Sequence, residues 1–176
     1  MDWVPKKIFF TKGVGIAKSE QISYIRALTD AKLAKYNLIQ VSSIVPPNCK
    51  KITPKEGLQN LQPGQTLYVV LARISSNIPN QQIAASIGVA KPYHPKIHGY
   101  LAEYENINQS SEEVAKFSED MAVDMLKTTF NYKELKNQMP DKTENEMFEK
   151  TNITSYSRVS ENGFFNTAVA IAALIF

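Results

Sequence analysis

Two adjacent hydroxyls at a forced strand exit can do chemistry on their own backbone. In Asn37-Leu38-Ile39-Gln40-Val41-Ser42-Ser43-Ile44-Val45-Pro46-Pro47, an apolar, β-branched run reaches Ser42-Ser43 and then a pair of prolines. The run reads as a buried strand, and the prolines cannot continue its ladder. Addition of the Ser43 hydroxyl to the Ser42 carbonyl would give an ester, and β-elimination would then cut the chain. The new N-terminus at residue 43 would become a pyruvoyl group, a ketone cofactor made from the protein's own serine. Taken alone, a Ser-Ser pair before prolines is more often a polar turn. The surrounding sequence decides between the two.

Other residues with chemical potential are weaker. Glu103, in Tyr100-Leu101-Ala102-Glu103-Tyr104-Glu105, shares one strand face with Leu101 and Glu105. By itself it reads as a solvated carboxylate, as does Glu105. Gly13-Val14-Gly15 lacks the third glycine of a dinucleotide fingerprint and the Gly-Lys-Ser/Thr of a P-loop, so it reads as a tight turn. His94 and His98 are separated by Pro95, which forbids a zincin-type helix, and no third ligand lies at metal spacing. Cys49 has no activating neighbour and reads as an inert thiol. Ser43 has neither a Gly-x-Ser-x-Gly context nor a histidine partner, which argues against a serine hydrolase.

The elements that must position these residues belong to a mixed α/β chain. A length of 176 residues fits about one domain, spanning 1–176. With 43% apolar and 21% charged residues the composition is globular, and the net charge of +3 is spread along the chain. That excludes a nucleic-acid footprint. No apolar run reaches the ~18 residues of a membrane helix, and Met1 to Lys6 lacks a signal-peptide layout. A single cysteine suits a reducing compartment, so a cytoplasmic protein is expected. The patterning predicts a short strand at Lys7 to Phe10 and a helix capped by Ser19. That helix places Ile22, Ile25 and Leu28 on its apolar face and ends near Lys35. A strand at Asn37 to Ser43 follows, then a loop from Pro46 to Pro63 with one helical turn near Lys55. Three further strands are expected at Thr66 to Ile74, Ile83 to Ala90 and His98 to Glu105. Ser110-Ser111-Glu112-Glu113 is a capping box for a helix that buries Val114, Phe117, Met121 and Met125 and runs to about Phe130. Lys133 to Lys150 reads as a charged surface insertion, and Val159-Ser160-Glu161-Asn162-Gly163 as a hairpin turn before a final apolar strand.

The chain resembles the pyruvoyl-dependent arginine decarboxylases. The resemblance is carried by Phe9-Phe10-Thr11-Lys12-Gly13-Val14-Gly15, Asn37-Leu38, Val41-Ser42-Ser43-Ile44 and Pro46-Pro47-Asn48-Cys49-Lys50. It continues through Ile83 to Ala90, Gly99-Tyr100-Leu101-Ala102-Glu103-Tyr104, and Asn162-Gly163-Phe164 to Ala173. It implies an α/β fold of the α+β type, a single-domain four-layer αββα sandwich of the pyruvoyl-dependent histidine/arginine decarboxylase kind. It also implies self-cleavage between Ser42 and Ser43 and a covalent pyruvoyl group from Ser43. Through a Schiff base with that group, L-arginine would become agmatine and carbon dioxide. Glu103 would be the proton donor, a role that burial beside Leu101 favours. Asn37 would assist cleavage by holding the scissile carbonyl. Leu28, Leu33 and Leu101 would contact the substrate. The assembly would be a homo-oligomer, trimer or hexamer, with sites between subunits and no metal, nucleic-acid or membrane partner.

One position departs from that family. In Tyr24-Ile25-Arg26-Ala27-Leu28, Ile25 stands where the family has an acid that helps recognise the guanidinium. An unpaired buried cation costs about 3–5 kcal/mol. Asp30 is a candidate replacement. The alternatives are a decarboxylase of another amino acid, or a homologue retained for assembly or amine binding.

Overall fold

Strand β1 (Lys7–Ala17) runs straight through Gly13 and Gly15, the pair expected to form a turn. A Cβ on Gly15 would stand 2.0 Å from the Ser23 carbonyl oxygen, and one on Gly13 2.1 Å from that of Ala27. The missing side chains therefore let helix α1 (Glu20–Asp30) lie directly on the strand. Ser19 caps α1 by accepting the Ile22 N–H, as predicted. The buried face is Ser23, Ala27 and Leu28, whereas Ile22 and Ile25 are exposed. The helix stops well short of Lys35. Lys32 adopts φ 66°, and its N–H donates to the Thr29 carbonyl while the Leu33 N–H donates to that of Leu28. This is the paired closure of a Schellman motif, made without the usual glycine.

The computed structural model describes residues 3–130, 136–137 and 139–176. The remaining elements are β2 (Asn37–Gln40), β3 (Ile44–Val45), β4 (Lys50–Lys51), α2 (Pro54–Leu58), β5 (Thr66–Ser76), β6 (Gln82–Pro92) and β7 (Gly99–Ile107). After them come α3 (Ser111–Thr129), α4 (Glu144–Met147), β8 (Phe148–Arg158) and β9 (Phe165–Ile175). They form a five-stranded sheet ordered β2-β5-β9-β1-β4 and a four-stranded sheet ordered β3-β7-β6-β8. Helix α1 covers the first sheet, α3 covers the second, and the two sheets face each other. The four layers αββα that the resemblance implied are present.

Strand β9 shows why its sequence reads as one apolar run. Ala168, Ala170, Ala172 and Leu174 face the opposite sheet, while Val169, Ile171 and Ala173 face α1. Both sides of the strand are buried. The capping box on Ser110 is formed with Glu113. The buried stripe of α3 is Val114, Ser118, Ala122, Val123 and Leu126, with Phe117 turned outward beside Tyr104. The segment 159–163 is not a hairpin, because β8 pairs with β6 and β9 with β1 and β5. It carries the chain from one sheet to the other, with Gly163 at φ 66°. The insertion expected from Lys133 to Lys150 lies partly outside the described residues. Its later part is structural: Met147, which ends α4, and Phe148, which opens β8, are both buried.

Candidate active site

Strand β2 pairs with β5 at the edge of the five-stranded sheet and is largely exposed. Its apolar composition had suggested a buried strand. The Val41 N–H still donates to the Val69 carbonyl, and Ile44 already pairs with Tyr100 in the other sheet. Ser42 and Ser43 are thus strung between two rigid sheets. The Ser42 carbonyl accepts the Ile44 N–H at 3.0 Å, a three-residue turn centred on Ser43. The Ser43 carbonyl accepts the Leu101 N–H at 2.8 Å. The Ser43 hydroxyl donates to Glu103 Oε2 at 2.7 Å.

Each of these contacts has a chemical consequence. A carboxylate on the hydroxyl can take its proton as the oxygen becomes a nucleophile. An amide N–H on the Ser42 carbonyl can hold the negative charge that attack places there. Strand alternation puts Leu101, Glu103 and Glu105 on the same side of β7, facing the five-stranded sheet. Leu101 is fully buried there and supplies the apolar surface next to Glu103. Glu105 is half-buried rather than solvated, and accepts the Arg73 N–H at 3.0 Å. Burial pushes its carboxyl above the ordinary range; the Arg73 N–H pulls it down, and the charge of Glu103 adds to the rise. The Arg73 side chain leaves by the other face of β5. There its guanidinium lies 3.9 Å from the Tyr24 ring centre and pairs with Glu20 at 3.1 Å.

The other expected site residues lie elsewhere within this chain. Asn37 starts β2 and its amide donates to the Gly64 carbonyl at 2.7 Å. Five residues of extended chain, roughly 16 Å, separate it from Ser42. Leu28 and Leu33 are buried between α1 and the five-stranded sheet, at the two ends of the Schellman bond. Asp30 accepts the Val14 N–H at 3.0 Å on β1, so it does not replace the acid missing at position 25 beside this chain's serines. Cys49 is buried, and burial pushes its thiol up, in keeping with an inert role. An apolar groove of about 620 Å³ borders Ser42 and is lined by Trp3, Val41, Ile44, Tyr68, His98 and Phe176. From the sequence Glu105 reads only as a solvated charge, and Arg73 is not singled out at all. The two-residue spacing of Glu103 and Glu105 was the signal available for the former.

A serine pair suspended between two sheets, with a carboxylate on its hydroxyl and an amide on the carbonyl before it, is the arrangement that a self-processing αββα protein needs. Its residues fit a carbonyl cofactor formed at position 43, since Glu103 and the Leu101 N–H already hold that residue on two sides. The family model described as pyruvoyl-dependent arginine decarboxylase matches residues 7–176. A probable pyruvoyl-dependent arginine decarboxylase of Chloroherpeton thalassium is 40% identical, over 99% of this chain and 100% of its own. The pyruvoyl-dependent arginine decarboxylase of Nitrosopumilus maritimus is 36% identical over 99% of both chains. Pyruvoyl-dependent arginine decarboxylase 2 of Methanosarcina acetivorans is 37% identical over 98% of this chain and 97% of that protein. The chain belongs to the pyruvoyl-dependent arginine decarboxylase family, carboxy-lyases whose cofactor is a covalently bound pyruvoyl group.

Proposed function

We propose that the chain cleaves itself between Ser42 and Ser43 and decarboxylates L-arginine to agmatine and carbon dioxide. The observation that carries this reading is the 2.7 Å hydrogen bond from the Ser43 hydroxyl to Glu103, beside a scissile carbonyl held by Ile44. Glu103 accepts the hydroxyl proton as Oγ adds to the Ser42 carbonyl carbon. Collapse breaks the C–N bond and leaves an ester with a free amine on residue 43. Loss of the Ser43 α-proton then expels the Ser42 carboxylate. Hydrolysis of the resulting enamine releases ammonia and leaves the ketone. The products are a small chain 1–42 and a large chain 43–176. When present, the pyruvoyl group supplies the electron sink for decarboxylation. Leu101 holds the carbonyl of residue 43, and Glu103 returns a proton to the substrate's α-carbon.

Asn37 acts on the junction of a neighbouring subunit, since it cannot reach its own. That requires a homo-oligomer, a trimer or pair of trimers, with sites between chains. Exposed Trp3, Ile22, Ile25, Ile39 and Phe176 support such contacts. In the same assembly Leu28 and Leu33 shape the site by fixing the end of α1. No helix among the described residues is long and apolar enough to cross a membrane, and the buried unpaired Cys49 suits a cytoplasmic location.

Denaturing intact-mass measurement tests the processing step. Two chains split at Ser42-Ser43 are expected, the larger with a pyruvoyl mass, and Ser43→Ala should remain whole and ketone-free. Normal ketone content in that variant would overturn the assignment. Carbon dioxide release from arginine tests the substrate. A second reading, decarboxylation of another amino acid, is favoured by Ile25 and is tested by the same assay with other substrates.

A further inference from the structure

We infer that Glu105 is the residue that recognises the cationic end of the substrate side chain. The inference rests on the decarboxylase reading and deepens it. Position 25 is exposed on α1 within the single chain, on the far side of the five-stranded sheet from Glu103. Whatever stands there cannot touch a substrate at this chain's own Ser43. Within the chain, the carboxylate next along the site is Glu105.

Three observations place it in that role. Glu103 and Glu105 lie on the same face of β7, one two-residue repeat apart, about 6.6 Å. An extended arginine side chain, with bonds of about 1.5 Å, spans roughly 6 Å from its α-carbon to its guanidinium carbon. With the α-carbon at Glu103, the guanidinium therefore falls at Glu105. Secondly, β2 ends at Gln40 and β3 has only Ile44 and Val45. Neither pairs along the stretch of β5 and β7 that carries Arg73 and Glu105, so that edge has no neighbouring strand, and half-buried Glu105 reaches across it from β7 to the Arg73 N–H. Thirdly, Glu105 is fixed but not neutralised. The Arg73 main chain holds one oxygen, while strand alternation sends the Arg73 guanidinium to Glu20 and Tyr24 on the other face. Among the described residues no cationic side chain is paired with Glu105. A half-buried carboxylate without a counter-ion gains from an incoming guanidinium, which forms two parallel charge-assisted bonds with it.

The test uses the processed enzyme, Glu105→Gln, and two substrates of nearly identical shape: arginine and citrulline, whose ureido group is uncharged. Glutamine keeps an oxygen for the Arg73 N–H, so the strand contact survives. The expected result is a KM for arginine raised about 10- to 100-fold, with kcat within a few-fold and citrulline unaffected. The preference for arginine over citrulline collapses accordingly. Calorimetric titration with agmatine should show the same weakening. An unchanged arginine-to-citrulline ratio overturns the role of Glu105. So does a fall in kcat at constant KM for both substrates, which would put Glu105 in the proton chemistry. A wild-type protein that carries the ketone yet prefers an uncharged amino acid overturns this inference and the arginine assignment together, and leaves the self-cleavage reading standing. A wild-type protein that never forms the ketone overturns the decarboxylase reading and this inference with it.

Discussion

Glu103→Gln separates the geometry of the junction from its proton chemistry. The 2.7 Å contact is a normal hydrogen-bond distance for a hydroxyl donating to a carboxylate, so Glu103 is placed to receive the proton when Oγ attacks. Glutamine preserves the size of the side chain and an oxygen at the same reach, but an amide oxygen cannot serve as the base. Loss of a positioned base costs about 10²- to 10⁴-fold in rate, or about 2.7–5.4 kcal/mol of barrier. The Ile44 N–H still holds the Ser42 carbonyl, so slow residual cleavage is expected rather than none. Glu103→Asp retracts the carboxylate by one methylene, about 1.5 Å, and should fall between wild type and glutamine. The assay follows the fraction of uncut chain by denaturing mass spectrometry at intervals after synthesis is stopped. Turnover by the fraction that does cleave should fall by a comparable factor if, as proposed, the same carboxyl returns the proton to substrate. A glutamine variant that is cut as fast as wild type would refute the reasoning, and the hydroxyl proton would have to leave by another route.

Other perturbations probe the scaffold. Gly15→Ala and Gly88→Ala each push a methyl to 2.0 Å from a helix carbonyl oxygen, of Ser23 and Ser118 respectively, so each should destabilise by about 1–3 kcal/mol or more in chemical denaturation. Wild-type stability in either would mean that the helix is not seated on that strand. Lys32→Gly relieves a side chain held at φ 66° and should stabilise by about 1 kcal/mol, read as a raised denaturation midpoint. Glu105→Gln should alter the pH dependence of melting. Because burial raises the folded-state pKa of Glu105 above its unfolded value, the folded state holds the extra proton between the two values, and stability is lost as pH rises through the folded pKa. The variant should therefore melt at or above the wild-type temperature at neutral pH, with the difference closing as pH falls through that value. A lower melting temperature at neutral pH that recovers in acid would contradict the sign.

The sequence by itself pointed to the serine pair proposed as the junction and determined most of the elements around it. Ser42-Ser43 before two prolines, the caps on Ser19 and Ser110, and the alternation of β7 are local signals, written within a few residues of the features they specify. Tertiary structure decided what those residues touch. The Gly13-Gly15 pair is a flat strand surface because α1 needs backbone-to-backbone approach, and only the packed helix reveals that need. Helix α1 ends at Asp30 because Leu33 is drawn into the layer beside Leu28, a stop that a lysine in the left-handed conformation does not announce. Segment 159–163 looks like a hairpin turn, yet it joins two sheets, because strand pairing is settled by partners distant in sequence. The site itself follows the same rule. Ser43 and Glu103 are 60 positions apart, and only the crossing of the chain from one sheet to the other brings the hydroxyl to its carboxylate.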